Sequence, residues 1–369
     1  MILAVTAMVR DEIDLIDAWV GHHRAQGVDV IIVTDNASED GTREALQTHA
    51  DAGHLVLLHD PVHRKQQGTV VTQMARDAAV LHGADWVVNA DADEFLVPVD
   101  RTLTLKDVFT RLDPAIRSFT VPVVNLIGPL AESGAGFDRL VWRDDRSSED
   151  LAAAGLLAHP THNAVHVGSA DVVVAQGNHI VTIESKGSPP PGLELEVLHL
   201  PWRSWRQVER KVAMAGAGYQ ANPDLNPSPN HHGMRDFLRL KEGTLLPYAA
   251  ARHLDADAAV RSGLVEDTFL RDELYGLGLS SGTEESPLDG RLATVASDAG
   301  RALVSRDRAF ERRDREAEAA EHELRRAVEA LEVRLRQVEG ELSAQKARRV
   351  VRLVDAVSER TRGGRKRSD

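Results

Sequence analysis

Asp91-Ala92-Asp93-Glu94-Phe95 sets two carboxylates one residue apart between two apolar runs, Trp86-Val87-Val88 and Phe95-Leu96-Val97-Pro98. Carboxylates at that spacing can meet one divalent cation, directly or through water, and hard ions such as Mg²⁺ and Mn²⁺ take oxygen ligands. Acidic strings of this length also occur as solvated turns; what separates this one is its place at the end of an apolar strand. Further along, His199-Leu200-Pro201-Trp202-Arg203-Ser204-Trp205 is followed by Lys211. An imidazole can complete a metal site begun by carboxylates, and a guanidinium can grip phosphate oxygens in a bidentate fashion. The remaining cluster is the polar turn Thr34-Asp35-Asn36-Ala37-Ser38-Glu39-Asp40-Gly41-Thr42. There Asp35 can contact a ligand, or can equally close an Asx-turn or cap the next helix.

The elements that must position these groups alternate in type. Apolar runs at 2–6, 30–33, 55–59 and 85–90 read as strands, and amphipathic stretches at 11–26, 42–50 and 66–82 read as helices. Strands joined through helices pair in parallel with right-handed crossovers, and ligands of such sheets bind beyond the carboxyl ends of the strands. Both Asp35 and the Asp91 cluster fall at such ends. Later strands are expected at 119–124, 171–175, 179–183 and 194–200, a helix at 202–218 and a loop at 222–234. The fold class is therefore α/β with a mostly parallel central sheet. Residues 1–220 read as the main domain, 221–304 as a helical and loop extension completing it, and 305–369 as a coiled coil with a basic tail. In the last segment Leu324, Val328, Leu331, Leu335, Val338 and Leu342 recur in steps of four and three, the a/d pattern of roughly three heptads.

Composition narrows the classes. With 369 residues, 42% of them hydrophobic and 4% aromatic, the chain can build a core mainly from Ala, Val and Leu. A net charge of −13 argues against a protein that coats nucleic acid. The absence of cysteine excludes disulfides, a thiol nucleophile and a cysteine zinc site. The N-terminus starts on a strand-like run without a basic leader, and no apolar stretch is long enough to span a bilayer, so a cytoplasmic location is expected.

Three strings in order, Met8-Val9-Arg10-Asp11-Glu12, the Asp35 turn and Asp91-Ala92-Asp93-Glu94-Phe95, resemble glycosyltransferase family 2, in the branch with a DxDEF motif. The likeness covers roughly residues 1–215. The His199–Arg203 segment is similar to the H-Y-x-x-[KR]-S element of that branch, with Leu200 in place of the usual aromatic. This resemblance implies a GT-A nucleotide-binding sandwich, a nucleotide-sugar donor, a saccharide or glycan acceptor, and Mn²⁺ or Mg²⁺ as cofactor. It implies that Asp35 holds the nucleobase, that Asp91 lies near the ribose or the metal, and that Asp93 is the principal metal ligand. By the same likeness His199 is the third ligand, with Arg203 and Lys211 facing the diphosphate. Family members typically invert the anomeric centre, which implies a carboxylate base. Asp144, Asp145, Glu184, Glu194 and Glu196 are all available, and spacing does not rank them.

Two other readings use the same residues. Nucleotidyl transfer would use the same carboxylates, but Ala4-Val5-Thr6-Ala7-Met8-Val9-Arg10 offers no basic Gly-rich loop for a triphosphate. An oligomeric scaffold with a degenerate transferase domain is suggested by the C-terminal heptads. Residues 305–369 hold 18 Lys and Arg against 14 Asp and Glu, so this end can join copies of the chain or touch the anionic inner face of a membrane. Of the remaining groups, His22-His23 read as structural. His179, His231-His232 and Arg64-Lys65 could border a site or serve the fold.

Overall fold

Strand β1 (Leu3–Val9) is covered on both faces, which is why its sequence is almost continuously apolar. Around it lie α1 (Ile16–Ala25), β2 (Val30–Asp35), α2 (Thr42–Asp51), β3 (Val56–His59), α3 (Gln67–His82) and β4 (Trp86–Asn89). Strands β1 to β4 are all parallel, and β1 sits between β2 and β4. On one face Leu15, Ile16, Trp19 and Val20 bury against Leu3, Val5, Ala7 and Trp86. On the other, Val71, Met74, Ala75 and Ala78 of α3 cover Ala4, Ile32 and Val87. This is a helix–sheet–helix sandwich built on the period-2 alternation of β1. The structure, a computed structural model, describes residues 1–62, 66–221, 232–279 and 283–363.

The chain continues through β5 (Glu94–Pro98), α4 (Leu105–Arg111), β6 (Ser118–Val121), β7 (Val123–Ile127), β8 (Ala131–Ser133), β9 (Trp142–Arg143), α5 (Ser148–Ala153), β10 (Asn163–Val167) and β11 (Leu195–His199). Then follow α6 (Trp205–Ala221), α7 (His232–Lys241), α8 (Leu245–Arg252), α9 (Ala256–Arg261), α10 (Phe269–Gly276), β12 (Ser286–Pro287) and α11 (Gly290–Gly363). The main sheet has the order β3-β2-β1-β4-β10-β6, with β10 antiparallel to both its neighbours. A second sheet has the order β5-β11-β7-β9, and β8 pairs with β12 alone.

Two strand expectations are corrected. The run 119–124 is two strands, β6 and β7, which join different sheets. Pro122 between them has no N–H to continue a ladder, although its carbonyl accepts from Val197 N at 2.8 Å. The runs 171–175 and 179–183 form only an isolated bridge, Val174 to Val181. Two backbone hydrogen bonds join the runs, Ala175 N to Ile180 O at 2.9 Å and Thr182 N to Val173 O at 3.1 Å. Side chains of α3 engage the outer edge: Arg76 Nε donates to Val172 O at 2.8 Å, and Thr72 Oγ1 accepts from Val174 N at 2.9 Å. The helix expected over 11–26 spans only Ile16–Ala25: Asp11 at φ 56° is outside helical backbone, and residues 13–15 form a turn leading into it.

The chain divides into two units, Met1–Val304 and Ser305–Asp369. Within α11, Ala296 and Val304 are buried, whereas every residue from 311 to 360 is exposed. Among the described residues no helix is long and apolar enough to cross a membrane.

Candidate active site

The strand order makes β1 and β4 the place where the sheet reverses its direction of growth, and a crevice opens beyond their carboxyl ends. It is a cleft of about 590 Å³, within the range of ligand sites. Arg10, Asp11 and Glu12 after β1, Asn36 and Asp40 after β2, and Asp91 and Asp93 after β4 line it. Opposite them stand Gln207, Arg210, Lys211, Met214 and Gly218, which share one face of α6 at helical spacing. Asp11 and Ala37 hold left-handed backbone at φ 56° and 54°. Hydrogen bonds from Asp11 N to Ser38 Oγ and from Glu39 N to Asp11 Oδ1 tie these two strand ends together.

Register delivers His199 to Asp93. β11 pairs with β5 so that His199 stands opposite Glu94, and with β7 so that it stands beside Asn125. Leu200 N donates to Asp93 O at 2.9 Å, which locks the strand end to the acidic turn. His199 Nδ1 donates to Asn125 Oδ1 at 2.8 Å, and its Nε2 lies 3.6 Å from Asp93 Oδ2. A ring nitrogen anchored in this way leaves the other one aimed at the carboxylate.

Asp93 is 1% exposed, and two cations and an imidazole surround its Oδ2. Lys211 Nζ is 2.5 Å away and Arg203 Nη1 3.8 Å away, with the imidazole as the third neighbour. Burial works to raise its pKa, but Lys211, His199 and Arg203 together hold the carboxyl well below its ordinary range. Asp91 Oδ1 accepts from Gln67 Nε2 at 2.6 Å and from Asn178 Nδ2 at 3.0 Å. Beneath the turn, Glu94 Oε2 accepts from Asp91 N at 3.1 Å and Asn163 Nδ2 at 2.7 Å. Burial and then the neighbouring Asp91 push the Glu94 pKa well up. Glu94 braces the turn from below.

Arg203 departs from its expected place at the diphosphate. It is wholly buried and does not line the cleft. Its Nε reaches Asp14 Oδ2 at 2.8 Å, and its Nη2 is paired with Glu12 Oε2. It thus clamps the segment after β1 to the start of α6. Asp35 is also turned inward, at 1% exposure. Its Oδ1 accepts from Ser38 N at 3.1 Å, and its Oδ2 lies 3.2 Å from His59 Nδ1. Asp35 therefore shapes the turn under the cleft, and Asn36 is the member of that pair facing it.

None of the five carboxylates considered as a base lines the cleft. Asp144 is paired with Arg146, Glu196 with Arg101 and Arg143, and Glu184 with Lys186, while Glu194 Oε2 accepts from Gly192 N; Asp145 is exposed. Glu12 is a cleft carboxylate whose acidity is weakened. Burial raises its pKa to about 7 against the opposing charges of Arg203 and Lys211. The sequence offered no signal for Glu12 beyond its place in Arg10-Asp11-Glu12. Arg210, whose Nη1 donates to Asp40 Oδ2 at 3.1 Å, could have been found by counting helical steps from Lys211. His179 Nδ1 lies 3.2 Å from Asn163 Oδ1, and His22 binds Glu273 and Leu96 O. Arg64, Lys65 and His231 lie outside the described residues.

Two carboxylates and an imidazole are the donor chemistry a hard divalent cation takes. Among the described residues no three His, Asp or Glu side chains lie close enough together to hold an ion. Here the ammonium of Lys211 rests on Asp93 Oδ2.

Residues 5–123 match the model of glycosyltransferase family 92, whereas the motifs resemble family 2. The match covers the strands and turns that build the acidic side of the cleft and supports a glycosyltransferase. No curated protein matches the chain. Among solved structures, S. aureus TarS is similar at 11% identity and TM-score 0.32, covering 83% of this chain and 55% of that longer one. S. aureus TarS 1-349 in complex with UDP-GlcNAc is similar at 10% identity and TM-score 0.32, covering 84% and 92%. Glucosyl-3-phosphoglycerate synthase from Mycobacterium tuberculosis in complex with Mn²⁺, UDP and glucosyl-3-phosphoglycerate is similar at 18% identity and TM-score 0.25, covering 45% and 56%.

Proposed function

We propose that this chain transfers a sugar from a nucleoside diphosphate sugar to a hydroxyl of a saccharide or glycan intermediate, with Mn²⁺ or Mg²⁺ bound. The observation that carries this reading is Asp93: a buried carboxylate kept ionised, at the switch point of a parallel sheet, between His199 and the half-exposed cation Lys211. In this reading Asp93, Asp91 and His199 hold the cation, which when bound neutralises the diphosphate leaving group. Lys211, on the half-exposed rim, turns from Asp93 to the diphosphate oxygens. The nucleoside lies over the turn that Asp35 shapes, against Asn36. Arg203 acts through Glu12 and Asp14, holding the wall of the cleft in register. Glu12, with its pKa near neutrality, is suited to take the acceptor proton, which fits an inverting displacement.

Residues 1–220 carry the GT-A-like catalytic domain in this reading and 221–304 complete it. Residues 305–369 are an appendage that joins copies of the chain and can hold it at the inner face of a membrane through the basic tail, whose Arg365, Lys366 and Arg367 lie outside the described residues. The enzyme then acts in the cytoplasm. The test is nucleotide release from a panel of nucleotide sugars with Mn²⁺, with and without an added acceptor. Release that disappears in Asp93→Ala, with the circular dichroism spectrum retained, supports the proposal. Failure of every nucleotide sugar to bind at millimolar concentration with metal present would sink it.

A further inference from the structure

We infer that the C-terminal helix pairs with a second copy of this chain as a parallel, in-register, two-stranded coiled coil over residues 324–342. Six apolar side chains, Leu324, Val328, Leu331, Leu335, Val338 and Leu342, project from α11 with 46% to 69% of their surface exposed. Their alternating steps of four and three put Leu324, Leu331 and Val338 at d and Val328, Leu335 and Leu342 at a. A continuous apolar line on an otherwise charged helix needs a cover, since such a helix gains little stability from propensity alone. Val328 at a with Leu331 at d is the combination that favours two strands, whereas Leu335 at a with Val338 at d is the reverse order, so the flanking charges and the dimer mass tested below carry the two-stranded reading.

The flanking charges choose the partner and its direction. With this register Arg334 and Glu341 occupy g, and Arg325, Glu332, Glu339 and Lys346 occupy e. In a parallel homodimer g of one helix meets e of the next heptad of the other. That opposes Arg334 to Glu339 and Glu341 to Lys346, each twice by symmetry, and the other g positions nearby are Ala320 and Ala327. An antiparallel pair covering the same six residues would bring e to e. That sets Glu332 against Glu339 and Arg325 against Lys346, all like charges. The seam is also bounded: Glu321 fills the preceding a position, and Gln345 and Arg349 the following d and a. Val350, Val351, Leu353, Val354 and Val357 fall at b, c, e and f, off the seam, so the pairing stops near Leu342.

The test uses the full chain, which contains no cysteine. Leu331→Cys and Val338→Cys, made separately, should each link to the same residue of the partner under mild oxidation, giving a covalent dimer. Sedimentation of the unmodified chain at tens of micromolar should give a dimer mass. Arg334→Glu should raise the dissociation constant about tenfold by replacing two attractive pairs with repulsive ones, and Arg334→Glu/Glu339→Arg should restore it. A monomer, a trimer, or a dimer in which neither cysteine links to itself would overturn the inference. These outcomes do not depend on whether the chain transfers sugar.

Discussion

If Lys211 holds the cation position on Asp93, removing its charge should make the apo site a better metal site while making the enzyme a worse binder of donor. Lys211 Nζ lies 2.5 Å from Asp93 Oδ2, and the side chain is about half exposed, with 48% of its surface accessible. A divalent ion on the same oxygen would stand roughly 4 Å from that ammonium. At that separation a dication and a monocation repel by about 2 kcal/mol in the high-dielectric limit, the limit suited to a half-exposed group. Lys211→Met should therefore tighten Mn²⁺ binding about 30-fold in the absence of nucleotide. Titration with Mn²⁺ followed by electron paramagnetic resonance, at fixed ionic strength, reads this directly and without turnover. The same variant should bind a nucleoside diphosphate sugar more weakly, because the charge that turns to the diphosphate is gone. Unchanged or weaker Mn²⁺ binding in Lys211→Met would refute the idea that lysine and metal contest one carboxylate. In Asp93→Asn both partners lose their anchor, so that variant should bind Mn²⁺ poorly whatever stands at 211.

Asp93→Asn should also lower metal-dependent nucleotide release by about 100-fold or more, measured as initial rates beside a circular dichroism spectrum that shows the fold retained. Arg203→Met leaves Glu12 and Asp14 without their buried partner, a change that costs about 3–5 kcal/mol; a lowering of several degrees in Tm is expected by calorimetry, and an unchanged Tm would mean that the clamp is dispensable. The pKa of Glu12 is raised in the folded chain from the ordinary 4.5 to about 7. Its stabilising contribution is therefore full below about 4.5 and lost as pH rises toward 7. Glu12→Gln should flatten the decline in denaturant midpoint between pH 5 and 8. Asp93 has the opposite sign: its depressed pKa contributes stability above the ordinary Asp range that is lost on acidification through its folded value, and Asp93→Asn should remove that acid-side loss.

What the sequence could show follows from which forces act locally. The first four strands and their connecting helices were legible because β1 to β4 are parallel and each is a mostly apolar run closed by a polar turn, with β1, β2 and β4 buried and β3 at the exposed edge. The acidic turn was legible for the same reason, since it ends β4. Tertiary choices were not. Pro122 sends Phe119 and Val123 to different sheets, yet in the sequence it interrupts only one residue of an apolar stretch. Val172 and Val174 alternate as strand residues do, but their carbonyls accept from Arg76 and Thr72 of α3, a partner no local pattern announces. Arg203 misled for a chemical reason. A guanidinium beside a candidate metal ligand reads as a phosphate grip, and only the fold reveals that Glu12 and Asp14 reach it first, from 191 and 189 residues away. Asn125 escaped notice because an amide carries no charge to mark it, and its link to His199 arises from the pairing of β7 with β11. The residues found by motif, Asp91, Asp93, His199 and Lys211, thus meet around one carboxylate or its neighbouring turn. Those that fix their geometry, Arg203, Glu94, Asn125 and Asn163, belong to strands and helix starts whose register had to be seen.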